Sequence, residues 1–172
     1  MRRPTLVGIS PLSVALLFLL LVPSLASAAI VNLSATIDGA QANAGNGTGS
    51  SATGSAAMTL DDQSNLFSWE IQWTSLASGE TVAHFHGPAM PNQNGGVELN
   101  IGIANPANGS AFLSSGQATD LLNGLWYINI HSNNDPGGEI RGQVNVVPIP
   151  AAVWLFGTAL LGMMGLAKRK AI

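Results

Sequence analysis

The chain has 172 residues, no cysteine, and six Lys or Arg against nine Asp or Glu, a net charge of −3 with neutral histidines. A length of that order fits one domain with processing segments at its ends. Disulfide bonding and thiol catalysis are excluded, so stability has to come from core burial.

The first 28 residues, "MRRPTLVGISPLSVALLFLLLVPSLASA", join Arg2 and Arg3 to a short apolar run and close on Ala26-Ser27-Ala28. A basic start, an apolar middle and a small-x-small end are the marks of a secretory signal peptide, here cut after Ala28. Residues 148–172 form a second appended segment. Its stretch 151–167 is uncharged and mostly apolar, long enough for a helix of about 25 Å that nearly spans a bilayer core. Lys168, Arg169 and Lys170 follow it. Basic residues stay on the cytoplasmic side, so the main domain is expected on the periplasmic face.

The span 29–147 holds all nine acidic residues and a single cation, Arg141, leaving it at −8. Without a basic patch to neutralise phosphates, nucleic acid is excluded as a partner. An acidic surface suits a soluble life outside the cell.

In chain order, "IVNLSATID" and "GSAAMTL" are strand candidates on either side of residues 39–54, which contain no large apolar residue. That stretch reads as a long mobile loop. "NLFSWEIQWTS" alternates Phe67, Trp69, Ile71 and Trp73 with polar residues, the period of a half-buried strand. In "ETVAHFH", Ala83 and Phe85 claim the core face and put His84 and His86 on the other. "VELNIGI" aims Val97, Leu99, Ile101 and Ile103 inward, and a shorter strand is expected near "SAFLSS". "LWYINIH" places Trp126, Ile128 and Ile130 opposite Tyr127, Asn129 and His131; "EIRGQVNV" places Ile140, Val144 and Val146 opposite Arg141, Gln143 and Asn145. No segment of this span has a helical period. Seven or eight short strands bounded by Gly, Asn, Asp and Pro read as an all-β antiparallel sandwich or small barrel.

Alternation therefore sends all three histidines and Arg141 to outward faces. Three imidazoles suit copper or zinc. The alternative is structural: His84 and His86 bond to Asn129, Asp135 or loop carbonyls, and Arg141 pairs with Glu139, Glu98 or Glu80. No nucleophile elbow of the G-x-S-x-G type is present. Asp61-Asp62 and "SNNDPGGE" offer oxygen ligands without the spacing of a calcium loop. Tyr127 is the one aromatic expected on an outward face.

Two resemblances add to this. "AHFHGPA" and "LWYINIHSNNDPGGEIRGQV", with "LSATIDGAQANAG" and "TGSAAMTLD" before them, resemble a CHRD domain, the module first recognised in chordin, over roughly residues 30–146. The resemblance implies an immunoglobulin-like Greek-key β-sandwich or barrel with a faint likeness to copper/zinc superoxide dismutase. That likeness in turn implies a metal set of His84, His86 and His131, with Arg141 as an anion guide beside it. The bridging histidine, the second metal's ligands and the disulfide of the dismutases have no counterpart here, so their full mechanism is not expected. The end of the chain, "VPIPAAVWLFGTALLGMMGLAKRK", resembles a PEP-CTERM sorting tail of a variant class, with Ile149 where Glu is usual. It implies handling by an exosortase-type enzyme in a bacterium that makes extracellular polysaccharide.

The expectation is an exported module of the cell surface or extracellular matrix. It is non-enzymatic, binds a protein or polysaccharide or serves structurally, and has no catalytic residue. The rival reading is a copper or zinc protein with a reduced three-histidine site.

Overall fold

The computed structural model describes residues 29–74 and 76–148. The expected signal peptide (1–28) and the expected membrane helix (151–167) lie outside the described residues. Among the described residues no helix is long and apolar enough to cross a membrane.

The elements are β1 (Ile30–Asp38), β2 (Thr53–Asp61), β3 (Leu66–Trp73), β4 (Glu80–Gly87), β5 (Gly96–Asn100), β6 (Ala107–Phe112), α1 (Ser115–Leu122), β7 (Tyr127–Ser132), β8 (Ile140–Gln143) and β9 (Asn145–Val146). All strand pairs are antiparallel, in the order β5-β4-β7-β8-β1-β2-β3-β6, with β9 against β1. The expected all-β antiparallel class is what the chain adopts. The sheet is one continuous path, and it curls into a half-barrel. Its joint is narrow: β8 meets β1 through the single pair Asp38↔Arg141.

The curl follows from where the aromatics sit. Phe67 on β3 and Phe85 on β4 are five places apart in the strand order, yet their rings meet edge-on at 5.2 Å. Phe67 also meets Trp126 edge-on at 6.0 Å, and Trp69 meets Phe85 at 5.3 Å. Most strands supply side chains to this centre, among them Leu33, Ala35 and Ile37 from β1, Ala56, Met58 and Leu60 from β2, and Ala83 and Phe85 from β4. A flat sheet would leave that face wet. Folding it over buries the aromatic faces against each other, and burial of large side chains is the main stabilising term available to a chain without disulfides.

Three expectations need correction. A helix exists where none was expected. α1 opens with a capping box, in which Ser114 Oγ accepts from the Gln117 N–H and Gln117 Oε1 accepts from the Ser114 N–H. The S-x-x-Q signature was readable; only Ala118 and Leu121 are buried, too few to give the helix a visible period. Residues 39–54 are not an open loop. Thr48 N–H donates to the Gly39 carbonyl, Gly45 and Gly47 N–H donate to Ala42, and Asn43–Gly45 form a short 3-10 turn. Val97 and Ile103, expected inward, are exposed, because β5 is an edge strand that ends at Asn100. Leu99 and Ile101 pack on the core as expected.

Candidate metal centre

β4, β7 and β8 lie side by side in mid-sheet. On the face away from the aromatic core they carry His84 and His86, then Tyr127, Asn129 and His131, then Arg141 and Gln143. Alternation therefore placed these residues on the correct side of the strands. It did not anticipate that this side is covered. β7 and β8 are buried along both faces, and Tyr127, Asn129, His131, Arg141 and Gln143 are each nine-tenths or more inaccessible.

Loops make the cover. The His86 Nδ1–H donates to the Gly95 carbonyl (3.1 Å), and the Gly95 N–H donates to the Tyr127 hydroxyl (3.2 Å). The His131 Nδ1–H donates to the Pro136 carbonyl (2.8 Å). Gln143 Nε2 donates to the Ala89 and Gly124 carbonyls, and the Gln143 N–H donates to Gln41 Oε1. Thr48 Oγ1 donates to the Glu139 carbonyl at 2.7 Å. The result is a second, polar layer clamped between sheet and loops, in which most buried polar groups find a partner, as burial demands.

Within it the three imidazoles converge. One ring nitrogen from each of His84, His86 and His131 lies within 4.8 Å of the other two. The ring centroids are 5.4 Å apart for His84 and His131, 5.5 Å for His84 and His86, and 6.2 Å for His86 and His131. A carbonyl oxygen only accepts, so the bonds to Gly95 and Pro136 hold the protons of His86 and His131 on Nδ1. Their Nε2 atoms are left with lone pairs. This is the outer-partner arrangement that orients metal-binding imidazoles. His86 Nε2 and His84 Nδ1 are buried without any hydrogen bond. The His131 Nε2 lone pair accepts from Asn129 Nδ2 at 3.2 Å, and Asn129 keeps a second bond to the Gly137 carbonyl. Tetrahedral zinc with Zn–N near 2.0–2.1 Å needs nitrogens about 3.3 Å apart. The nitrogens would have to close in by up to about 1.5 Å, and Asn129 would have to release His131.

The electrostatics favour the neutral, metal-competent ring. Burial lowers the pKa of His84, and its neighbours His131 and His86 lower it further. Burial also lowers His86, with His131 and Arg141 reinforcing and the Gly95 and Gly96 backbone opposing. In the unfolded chain both protonate near pH 6.5. The unfolded state therefore binds more protons below that value, so stability is complete above about pH 6.5 and falls as pH drops towards the folded pKa values. The urea midpoint of metal-free protein is expected to be flat above neutrality and to begin falling below about pH 6.5, before most carboxylates titrate. A His84→Ala/His86→Ala variant should lose that early fall. An unchanged profile in the variant would mean that other groups produce it.

Arg141 was expected on an outward face and, in the structural alternative, paired with Glu139, Glu98 or Glu80. It is instead 3% exposed, with its Cζ 3.5 Å from the centre of the Tyr127 ring. Each expected partner is engaged elsewhere. Glu139 accepts from Ser50 Oγ (2.6 Å) and the Ala77 N–H (3.0 Å), Glu98 accepts from Gln117, and Glu80 accepts from Trp73 Nε1. Burial opposes ionisation of Glu139, but hydrogen bonds from Ser132, Ser50 and Ala77 outweigh it and hold its carboxyl below the usual range. Burial lowers the Arg141 pKa, partly offset by Tyr127. Tyr127 is buried too, so the one aromatic expected outside is not available there. In strand order Tyr127 stands between His86, which stacks on its ring at 5.0 Å, and Arg141.

Sequence reasoning found the histidines and Arg141. It placed Asn129 and Gln143 on the same outward faces, with Asn129 as a histidine partner, but missed Asn94 and the polar layer these three build with His131 and Arg141. The layer's signal was available: the outward positions of β7 and β8 carry Tyr, Asn, His and Gln rather than Lys or Glu, and an open face rarely avoids full charges so consistently.

Taken together, fold and site define a small antiparallel β module with a loop-covered polar face and a three-imidazole cluster on it. The CHRD domain family matches residues 33–144, nearly two-thirds of the chain, and the protein belongs to that family. Membership suggests a non-enzymatic binding module. Neither curated proteins nor solved structures give a match.

Proposed function

We propose that this protein is a non-enzymatic, exported binding module whose CHRD domain holds one divalent transition-metal ion on His84, His86 and His131. The carrying observation is the convergence of three imidazole nitrogens within 4.8 Å, two of the rings being pinned by backbone carbonyls so that Nε2 keeps its lone pair, unpartnered on His86 and accepting from Asn129 on His131. Two buried ring nitrogens without partners supply the energetic reason, since an unsatisfied buried polar atom costs about 1–3 kcal/mol and a bound ion would satisfy both. Three imidazoles with a water as fourth ligand suit zinc, and the same donors suit Cu(II). On this reading the curled sheet is a Greek-key sandwich of the immunoglobulin or superoxide-dismutase kind. The connections β3–β4, β5–β6 and β6–β7, each crossing between its two halves, support that.

Export is part of the proposal. Residues 1–28 have the pattern of a signal peptide, and 148–172 that of a sorting tail with an apolar helix at 151–167. The domain would be carried to the periplasmic side, anchored there, and passed to the cell surface or matrix by an exosortase-type enzyme. Extracellular polysaccharide or a surface protein would be its partner there. Titration of the full-length protein, without a His tag, with Zn(II) and Cu(II) is expected to saturate at one ion per chain with micromolar or tighter Kd. Weak, unsaturating uptake would sink the metal reading and leave the histidines as loop ties.

A further inference from the structure

We propose that the cavity beside the histidine cluster is a binding site for a small polyhydroxylated carboxylate, the chemistry of a hexuronate. The cavity measures about 520 Å³ and is bounded by β7, β8 and their covering loops. That is within the size range of small-molecule sites. None of the three histidines lines it, although Asn129 and Pro136, which bond His131, do.

Its floor is Arg141, the single cation of a span that carries nine acidic residues. Arg141 as a whole is 3% exposed, and its guanidinium bonds run to the amide oxygens of Asn94 (3.5 Å) and Gln143 (3.3 Å). Both exceed the usual 2.7–3.2 Å for N–H···O bonds, so most of its five donors are poorly used. A buried charge without a counter-ion is costly, and the cost is relieved when a carboxylate docks on the fork of the guanidinium. Stacking on Tyr127 holds the fork flat and leaves its edge for such a ligand.

The rest of the lining decides against a bare anion. It includes Asp135, and a carboxylate repels a second negative charge and accepts hydrogen bonds from hydroxyls. Asn43, Asn94 and Asn134 offer amides that both donate and accept. A ligand that satisfies this lining has one negative end for Arg141 and several hydroxyls for the rest. Sulfate has no hydroxyl, phosphate carries its few on the charged group itself, and a neutral sugar lacks the charge.

The test is a calorimetric or NMR titration of full-length protein in mild detergent with glucuronate as the probe. A chelator is present throughout, so that failure here and failure of metal binding are separate results. Saturable binding with a Kd near 1 mM or tighter is expected, with glucose and sulfate each at least about 10-fold weaker. Arg141→Lys keeps the charge but loses the fork and should weaken glucuronate about 10-fold or more. Because Arg141 is buried, Asn134→Ala provides a second variant at an exposed position; Asn134 lines the cavity, so its loss should weaken glucuronate with folding unaffected. The proposal is overturned by absence of saturation up to about 10 mM, by sulfate or glucose binding as tightly as glucuronate, or by affinity unchanged in both variants.

Discussion

Replacing His84 with alanine is expected to abolish tight Zn(II) or Cu(II) binding while changing metal-free stability by about 1 kcal/mol or less. The contrast follows from its surroundings. His84 is half-buried on β4, its Nδ1 is enclosed without a partner, and no hydrogen bond ties its ring to the described residues. Removing it loses little packing and also removes an unsatisfied atom. His131 is different, because its Nδ1–H holds the Pro136 carbonyl at 2.8 Å, and His131→Ala would cost loop order as well as a ligand. Loss of an outer partner to a metal ligand typically costs 10–100-fold in affinity, and loss of one of three ligands should exceed about 100-fold. At a metal concentration near 100 times the wild-type Kd, the wild type gains about 2.7 kcal/mol of stability from the ion. A variant bound 100-fold more weakly gains only about 0.4 kcal/mol. Urea unfolding with and without Zn(II) reads both numbers at once. If His84→Ala instead lowers metal-free stability by several kcal/mol and leaves the metal-induced gain intact, the cluster is structural.

The second large effect belongs to Phe85. Phe85→Ala is expected to destabilise the fold by about 3–5 kcal/mol. The side chain is fully buried and touches three other aromatic rings: Phe67 at 5.2 Å, Trp69 at 5.3 Å and Trp126 at 6.1 Å. Its removal leaves a cavity where β3 and β4 meet across the curl, and each lost aromatic pair adds about 0.5–1.5 kcal/mol beyond area. Domains of this size are stable by only about 5–15 kcal/mol, so the variant would sit near the edge of folding. Phe85 also lies between His84 and His86 in the strand, with the histidines on the reverse side. A loosened β4 should therefore weaken metal binding even in the molecules that stay folded. Denaturant unfolding followed by tryptophan fluorescence checks the first effect. A loss below about 1 kcal/mol would mean the core collapses into the space without cost.

Much of this was legible before any coordinates. The period-two pattern of "NLFSWEIQWTS" and "LWYINIH" follows from strand geometry, in which neighbours point to opposite faces, and the burial of Phe67, Ile71, Trp126, Ile128 and Ile130 obeys it. The same rule put His84, His86 and His131 on one side of two strands. It failed at Val97 and Ile103, because alternation gives the face of a residue but not whether its strand lies in mid-sheet or at an edge. α1 stayed hidden because its identity rests on a cap and two buried residues rather than on a stripe.

Local order, acidity, the absence of disulfides and the sidedness of the strands were thus properties of the sequence, since each depends on a residue and its near neighbours. Whether the histidines converge was not. β4 and β7 are separated in the chain by β5, β6 and α1, and only their register, His84 beside Asn129 and Val82 beside His131, sets the rings within reach of one another. The cover over that face was equally invisible, because loops 39–50, 88–95 and 133–139 find it through contacts distant in sequence, such as Gln41 with Gln143 and Asn94 with Arg141. Burial by distant segments is what turns an outward-facing arginine into a desolvated one and lowers the pKa of His84 and His86. Desolvation is a property of the assembled fold, and no local pattern encodes it.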